Sequence, residues 1–399
     1  MHILEAEAAP LSTERIQPQQ TVEPQIARVI GRVTSTEPGP TLICIAAVHG
    51  NEPAGLKALE NVFARLERRP GLVTGELIGL VGNRQALARG CRFVDRDLNR
   101  LWLPSRIGRL AAGGPSEIAE DDELRGLHRE IVAVVGAARG GLFLLDLHTI
   151  SGPGPAFVVL EDTLPNRTFG LTLEGPLVLG LEEELSGTLL GYAAAMGITS
   201  VSFESGQHEQ ADSVTRAEEA IVRAMIAAGL VSREAAGGLV SHAVSPLDPA
   251  LPEVVEIRYR HAIAEGDDFR MDPGFESFQR VKAGQVIASD RNGPVRSPMS
   301  GRLLMPLYQE LGDDGFFIVR RVEPFWLRLS AGVRRLRLER AVHWMPGVRR
   351  HPEVPGAFIV DRRLARWLVL EIFHLMGFRR QGRLGRFVVL ARRPYDRSE

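Results

Sequence analysis

Between residues 41 and 238, continuous apolar runs alternate with stretches in which apolar residues recur every three or four positions. The runs Thr41–Val48 and Gly141–Leu147 are almost wholly apolar, as in strands buried on both faces. The same pattern predicts further strands at Glu76–Val81 and Thr199–Glu204, and helices at Pro53–Arg69, Glu123–Ala138, Leu179–Met196 and Ser213–Ala228. Strands and helices alternating at this spacing predict an α/β domain with a mostly parallel sheet and helices on both faces.

The pattern changes near Gly238. From Glu253 to Arg321, short alternating runs are separated by glycine and proline, which predicts a small all-β domain. After it we expect a basic α+β segment. Its elements are a strand-like run at Trp326–Leu329, a helix near Arg363–Met376 and a last strand at Arg386–Ala391. The expected units are a lead-in at 1–40, an α/β domain at 41–238, a β-rich domain at 239–321 and a C-terminal segment at 322–399.

The charge of the chain is unevenly distributed. The 399 residues carry a net charge of −1, yet residues 321–399 hold 18 arginines, no lysine and 7 acidic residues, about +11. The remainder is therefore about −12. Such a basic segment can dock onto the acidic part of its own chain or bind an anionic partner. We favour the first interpretation, and a nucleic-acid partner is not expected.

Cysteine content and hydropathy indicate a cytoplasmic protein. The two cysteines, Cys44 and Cys91, form no disulfide framework and are typical of a reducing compartment. Residues 1–20 lack the apolar core of a secretory signal. No apolar run reaches the roughly 18 residues of a transmembrane helix, so no transmembrane segment is expected.

Polar residues with metal-binding side chains follow two of the predicted strands. His49 and Glu52 come directly after the first strand, and Asp146 and His148 end the strand at 141–147. A catalytic zinc site uses three protein ligands, commonly imidazole and carboxylate, with water in the fourth position. We therefore expect His49, Glu52 and His148 to bind zinc, with Asp146 accepting the second ring N–H of His148. Each motif alone is common by chance; a strand-end histidine is more often simply hydrogen-bonded.

Two further polar clusters suggest a reaction. Residues 92–100 contain three arginines, two aspartates and an asparagine, which is either a solvated charged loop or an anion pocket. In the second interpretation Arg92 faces a carbonyl oxygen and stabilises the oxyanion, while Asp97 holds an arginine in place. Glu204, at the end of the strand at 199–204, is a candidate general base; otherwise it is a helix cap or a surface acid.

Together these motifs resemble the succinylglutamate desuccinylase/aspartoacylase family, relatives of the zinc carboxypeptidases, over about residues 41–320. The resemblance is carried by motifs at His49–Glu52, Gly82–Asn83, Arg92–Arg100, Asp146–Thr149 and Glu204–Gly206. It implies a zinc-carboxypeptidase-like fold with one zinc ion per chain, and the hydrolysis of N-acyl amino acids, which are small anionic substrates. The resemblance also implies a role for each candidate residue. His49, Glu52 and His148 would be the zinc ligands, Glu204 the general base, and Arg92 the residue that polarises the scissile carbonyl. Asn99 and Arg100 would bind the substrate, with Asp97 supporting them. A homo-oligomer is a further expectation from the resemblance.

Departures from the family pattern fall in the pocket rather than at the metal. Phe93 stands where a tyrosine is usual in the family. The loop after Glu204 reads Ser205-Gly206-Gln207-His208, where aspartoacylase itself has Gly-Pro. The acyl group, the amino acid and the choice between amide and ester stay open. Two alternatives also remain: a zinc carboxypeptidase acting on a peptide, and a non-catalytic zinc scaffold that binds an anionic partner.

Overall fold

The computed structural model describes residues 26–240, 248–336, 347–352, 357–361, 373, 376–384 and 387–392. The strands of its first half are β1 to β7, at Val29–Thr34, Thr41–Ala46, Glu76–Val81, Leu142–Ile150, Phe157–Val159, Leu177–Leu179 and Thr199–Gln207. The helices there are α1 to α7, at Ala54–Glu67, Arg84–Arg89, Pro104–Ala111, Ala119–Ala137, Leu164–Gly170, Leu189–Ala195 and Ser213–Ala228. Two 3-10 helices span Leu98–Arg100 and Leu181–Glu183.

The second half of the chain is mainly β. Strands β8 to β14 lie at Val254–Ala262, Arg270–Met271, Arg280–Val281, Val286–Asp290, Gly293–Arg296, Gly301–Leu304 and Asp314–Arg321. Helix α8 follows at Pro324–Arg335, and strands β15 to β18 lie at Val348–Arg350, Ala357–Asp361, Phe378–Leu384 and Phe387–Arg392. These last four strands form an antiparallel sheet in the order β15-β16-β18-β17.

One mixed sheet of eleven strands organises the fold, in the order β1-β3-β2-β4-β7-β5-β6-β8-β14-β13-β10. Its centre, β3-β2-β4-β7, is parallel, and its two edges are antiparallel. The α/β fold class with a mostly parallel centre is therefore confirmed, and the β-rich strands β8, β13 and β14 extend the same sheet. The division into four units at the expected residues stays a prediction.

Helices cover both faces of the sheet, because β2 alternates its side chains between two cores. Leu42 and Cys44 point into a core built with α1 and α7. Ile43 and Ile45 point into the opposite core, which contains leucines from α3, α4 and α6. Every residue of β2 is buried, which is the reason that its sequence is apolar throughout.

Periodicity located the long elements well and the interrupted ones poorly. Strand β3 and helix α7 have the predicted bounds. The predicted helix Leu179–Met196 was wrong. The segment begins with the last residue of β6, continues as a 3-10 helix and ends in the short α6. Gly180 and Gly187 interrupt the helix because they adopt φ of +90° and +69°. These left-handed conformations favour glycine.

In the C-terminal segment, the strand-like run Trp326–Leu329 was also wrong. It lies in α8, which begins with Pro324 at its first position, where proline is pre-organised for a helix. The last strand is observed at β18, while the helix near Arg363–Met376 lies, apart from Phe373 and Met376, outside the described residues. Across the described part of the chain, no helix has the length and apolarity needed to cross a membrane.

Gly50 lets the loop after β2 pack directly against α2. A Cβ built at Gly50 would lie 2.1 Å from the carbonyl carbon of Ala86, a backbone atom that cannot move aside. The neighbouring residues His49 and Asn51 would have to shift with it.

We therefore predict that Gly50→Ala lowers the free energy of unfolding by about 3 kcal/mol. Gly108→Ala is the matched control, because a Cβ there meets nothing within 4 Å. Helix propensity makes that control neutral or slightly stabilising. Urea unfolding of both variants tests the prediction, and equal midpoints would contradict it.

Candidate metal and active site

The candidate site lies where the parallel central strands end. Strands β2 and β4 pair in register as far as Ala46 and Leu147, so His49, just after β2, comes close to His148 on β4. Glu204 on β7 is the direct cross-strand partner of His148. The crevice at the carboxyl ends of such strands is where open α/β sheets bind ligands.

A buried carboxylate lies between the two imidazoles. Glu52 places Oε1 2.8 Å from Nδ1 of His49 and Oε2 2.9 Å from Nδ1 of His148. The two ring centroids are 5.0 Å apart, and one ligand atom from each of the three residues lies within 4.8 Å of the others. All three side chains are buried, so the group forms a compact set of donors for one cation.

The far nitrogen of each ring contacts an aspartate. His148 Nε2 lies 2.9 Å from Asp146 Oδ2, and His49 Nε2 lies 3.1 Å from Asp97 Oδ1. Carboxylates behind metal-binding histidines fix the tautomer with the proton on the outer nitrogen. With protons there, each Nδ1 lone pair would face a Glu52 oxygen, so a cation or additional protons must lie between them. This donor set and its orientation fit zinc.

The electrostatics of the group follow from these contacts. Burial alone would raise the pKa of Glu52, but the charges and hydrogen bonds of His49 and His148 outweigh it and hold the pKa well below its ordinary value. Burial would lower the pKa of His148, yet Asp146 and Glu52 raise it well above the ordinary value. The group thus attracts positive charge, whether carried by protons or by a metal ion.

Glu204 lines the same pocket, but one of its carboxylate oxygens has no hydrogen-bond partner among the described residues. That oxygen is Oε2, and the residue is 8% exposed. Burial raises the pKa of Glu204 to about 8; nearby His148 lowers it and Glu52 raises it. A cation bound by Glu52 and the histidines would favour the carboxylate form of Glu204 and lower this pKa.

Arg92 joins the metal group to the loop that follows α2. Its guanidinium donates to Asp97 Oδ2 at 3.1 Å and to Glu52 Oε1 at 3.5 Å. Its Nε is buried and unpartnered within the described part of the chain. Arg92 therefore has a hydrogen-bond donor available beside the candidate metal site.

Arg100 and Asn99 line the pocket but are also tied to other elements. Arg100 donates to Asp314 Oδ2 at 2.8 Å, and Arg260 also binds Asp314. Asn99 accepts the backbone N–H of Leu189 at 2.8 Å. Arg100 Nε is buried without a partner among the described residues, so this N–H is available to a ligand.

Residues 305–314 of the β-rich region form one wall of the pocket. Gln309 Oε1 accepts from Asn51 Nδ2 at 2.9 Å and lies 3.2 Å from Nε2 of His208. The other ring nitrogen of His208 lies 2.7 Å from Thr149 Oγ1. These contacts connect the loop of the metal ligands to the β-rich region, and the cleft that remains encloses about 140 Å³.

Comparison with known proteins agrees with this geometry. Residues 38–228 match the model of the succinylglutamate desuccinylase/aspartoacylase catalytic domain. That range contains the three candidate metal ligands and Glu204. Residues 38–228 belong to the succinylglutamate desuccinylase/aspartoacylase family.

Individual relatives of this family match shorter stretches. A succinylglutamate desuccinylase of Pseudomonas paraeruginosa is 35% identical over 113 residues, which are 28% of this chain and 31% of the relative. A probable aspartoacylase of Synechococcus is 34% identical over 90 residues, covering 22% of this chain and 28% of the relative. The matched region thus spans about a third of these relatives.

The fold of the family extends further than the sequence match. A succinylglutamate desuccinylase structure from Vibrio parahaemolyticus aligns with a TM-score of 0.53 and 18% identity, covering 73% of this chain and 84% of the other. At this identity the likeness concerns the fold. It agrees with the mostly parallel centre of the eleven-stranded sheet.

Several contacts of the predicted site residues were not expected from the sequence. We expected Asp97 to support an arginine and the substrate, whereas it also contacts His49. Asp314 and Gln309 were not identified, because they lie 214 and 258 positions from Arg100 and Asn51, which they contact. Only their proximity to the pocket, which depends on the β8–β14 pairing, identifies them.

Glu120 was also missed, and it organises the loop of this family domain that carries Arg92 and Asp97. Its carboxylate is fully buried and accepts the backbone N–H groups of Val94, Asp95 and Arg96 at 2.7–3.1 Å, and the Asn83 side chain at 3.1 Å. Each of these four groups is a donor, and both carboxylate oxygens accept.

We predict that Glu120→Gln lowers the free energy of unfolding by about 1–3 kcal/mol, because the new NH₂ group would face donors. Glu117→Gln is the control, since the Glu117 side chain is 63% exposed. Thermal unfolding of the two variants measures the difference. A Glu120→Gln protein as stable as the control would show that the carboxylate does not hold this loop.

Proposed function

We propose that the chain is a zinc-dependent amidohydrolase that cleaves the linear amide bond of an N-acyl amino acid, or of a similar small substrate bearing a carboxylate. The observation that carries this proposal is the convergence of His49, Glu52 and His148 with the unpartnered oxygen of Glu204 in one buried pocket. Membership of the catalytic domain in the desuccinylase/aspartoacylase family supports the reaction class.

One zinc ion per chain would be held by His49, Glu52 and His148. When bound, zinc supplies a Lewis acid that polarises a carbonyl oxygen and lowers the pKa of water to near neutrality. Asp97 and Asp146 keep the outer ring nitrogens of the two histidines protonated, so the inner nitrogens remain free to coordinate.

Glu204 acts as the general base and then as the general acid. Its carboxylate takes a proton from the attacking water and passes it to the nitrogen of the departing amino acid, which breaks the carbon–nitrogen bond. Burial without a hydrogen-bond partner among the described residues leaves Oε2 available for this transfer. The pKa of about 8, lowered by a nearby cation, is close to the operating pH that such a shuttle requires.

Arginine side chains bind the charged parts of the substrate. Arg92 donates from Nε to the oxyanion that develops on the carbonyl oxygen. Arg100 Nε and the amide nitrogen of Asn99 bind a substrate carboxylate. Asp97 supports Arg92 through its 3.1 Å contact.

The two alternatives are less well supported. A carboxypeptidase acting on a polypeptide must leave room for the rest of the chain, and residues 305–314 wall one side of the cleft. A scaffold needs neither a buried unpartnered Glu204 nor Arg92 beside the metal. We expect a cytoplasmic enzyme, and a homo-oligomer on the family resemblance alone.

We predict that Glu204→Gln lowers kcat by about 10³-fold or more, since the base is removed, while zinc content is unchanged. Amine release is measured with a panel of acetyl, formyl and succinyl amino acids, with and without a chelator. Glu209→Gln is the control, because Glu209 is exposed. An active Glu204→Gln protein would refute the assignment of the base, and a wild-type protein that cleaves no member of the panel would refute the deacylase.

We also predict that the wild-type protein binds close to one zinc per chain and that His148→Ala loses it, because two ligands hold zinc poorly. Metal analysis after gel filtration gives the stoichiometry. His128→Ala is the control: His128 contacts Tyr192 at 2.7 Å, away from the metal group. Full zinc content in His148→Ala would contradict the ligand set.

A further inference from the structure

The C-terminal segment contacts the wall of the pocket that lies away from the metal group. The contacts converge on Glu161 and Asp162, which follow β5 and precede α5. Both are buried, with exposures of 2% and 5%. Neither the family match, which ends at residue 228, nor the metal chemistry accounts for these contacts.

Asp162 anchors helix α8 to the α/β domain. The fully buried Arg334 donates to Asp162 Oδ2 and to its backbone oxygen, both at 2.8 Å. Arg167 also binds Asp162, and it donates to Ser330 Oγ at 3.3 Å. Because buried charges are stable only when they are paired and hydrogen-bonded, this cluster fixes where α8 lies.

Glu161 faces the pocket itself. It lines the same cleft as the metal group, and so do Leu160, Leu181 and Leu190. The guanidinium of Arg379, on β17, donates to Glu161 Oε1 at 3.2 Å. Strand β17 also contacts the 3-10 helix Leu181–Glu183, which supplies more of the same wall.

We propose, building on the deacylase function above, that the C-terminal segment supports the pocket wall that contains Glu161 and that Arg379 is a positioning residue which holds Glu161 toward the substrate. Glu161 then determines specificity. An ionised carboxylate only accepts hydrogen bonds, so the substrate group at this wall is a donor such as an amide, a hydroxyl or an ammonium. A second carboxylate there would be repelled.

The charges along the pocket agree with this selectivity. Arg100, which we propose binds a substrate carboxylate, already pairs with Asp314. The pocket lining also includes the acidic residues Glu161, Glu182 and Asp313. A substrate with one carboxylate can use Arg100 Nε, while a second carboxylate meets acidic groups.

The experiment compares Arg379→Gln with Arg350→Gln, a control at an exposed arginine of the same small sheet. The substrates are matched pairs of equal shape: N-acetylglutamine with N-acetylglutamate, and N-acetylasparagine with N-acetylaspartate. We expect the wild type to prefer the amide of each pair. Arg379→Gln should raise KM roughly tenfold, as for loss of a charge-assisted hydrogen bond, with kcat and zinc content nearly unchanged; Arg379→Lys should recover part of the loss.

Glu161→Gln should erase the discrimination between amide and carboxylate. The double variant with Arg379→Gln should behave like Glu161→Gln alone, because Arg379 acts through Glu161. A wild-type preference for the dicarboxylates, or an Arg379→Gln protein with the same kinetics as Arg350→Gln, would overturn the inference.

Hydrogen–deuterium exchange provides a readout that does not require activity. In Arg379→Gln, but not in Arg350→Gln, peptides covering residues 157–164 and 181–190 should exchange faster, because the wall loses its support. Unchanged exchange overturns the positioning role. If the wild type cleaves no substrate, the deacylase proposal fails, and exchange alone decides whether Arg379 holds this wall.

Discussion

The buried carboxylate of Glu52 is the constraint on which the site depends. An ionised group at 2% exposure is unfavourable unless positive charge surrounds it. His49 and His148 lie on either side of it, at 2.8 and 2.9 Å, so protons or a cation between these atoms would supply that charge. The backbone N–H of Thr149 adds a hydrogen bond at 3.0 Å. These three side chains are also the donors that would hold one metal ion.

The carboxylates behind the histidines continue the same logic outward. Asp97 and Asp146 bind the outer ring nitrogens, and Arg92 then binds Asp97. The contacts thus run from Glu52 to the histidines, from the histidines to the aspartates, and from Asp97 to Arg92. A substitution at one of these positions therefore changes the electrostatic environment of the next. Glu204 stands outside these paired contacts, which is the reason that burial raises its pKa and that it suits proton transfer.

Three parts of the chain build the pocket. The α/β domain supplies the metal group, the β-rich region supplies residues 305–314, and we propose that the C-terminal segment supports Glu161. The charge of about +11 over residues 321–399 led us to expect docking onto the acidic part of the chain. Arg334 at Asp162 and Arg379 at Glu161 are contacts of that kind, and they indicate how a basic segment can take part in substrate selection.

The sequence by itself determined the α/β class, the central strands and the membership of the metal group, because buried parallel strands require apolar runs and their ends bring polar residues to one edge. Long elements such as α7 were predictable for the same reason, since periodicity needs several turns to emerge. Only the tertiary structure decided which carboxylate supports which ring, that Glu120 holds the Arg92 loop, that Asp314 and Gln309 reach the pocket, and that Arg379 contacts Glu161 in its wall. Those contacts join residues that are distant along the chain, and no local pattern of apolar and polar positions encodes the packing that brings them together.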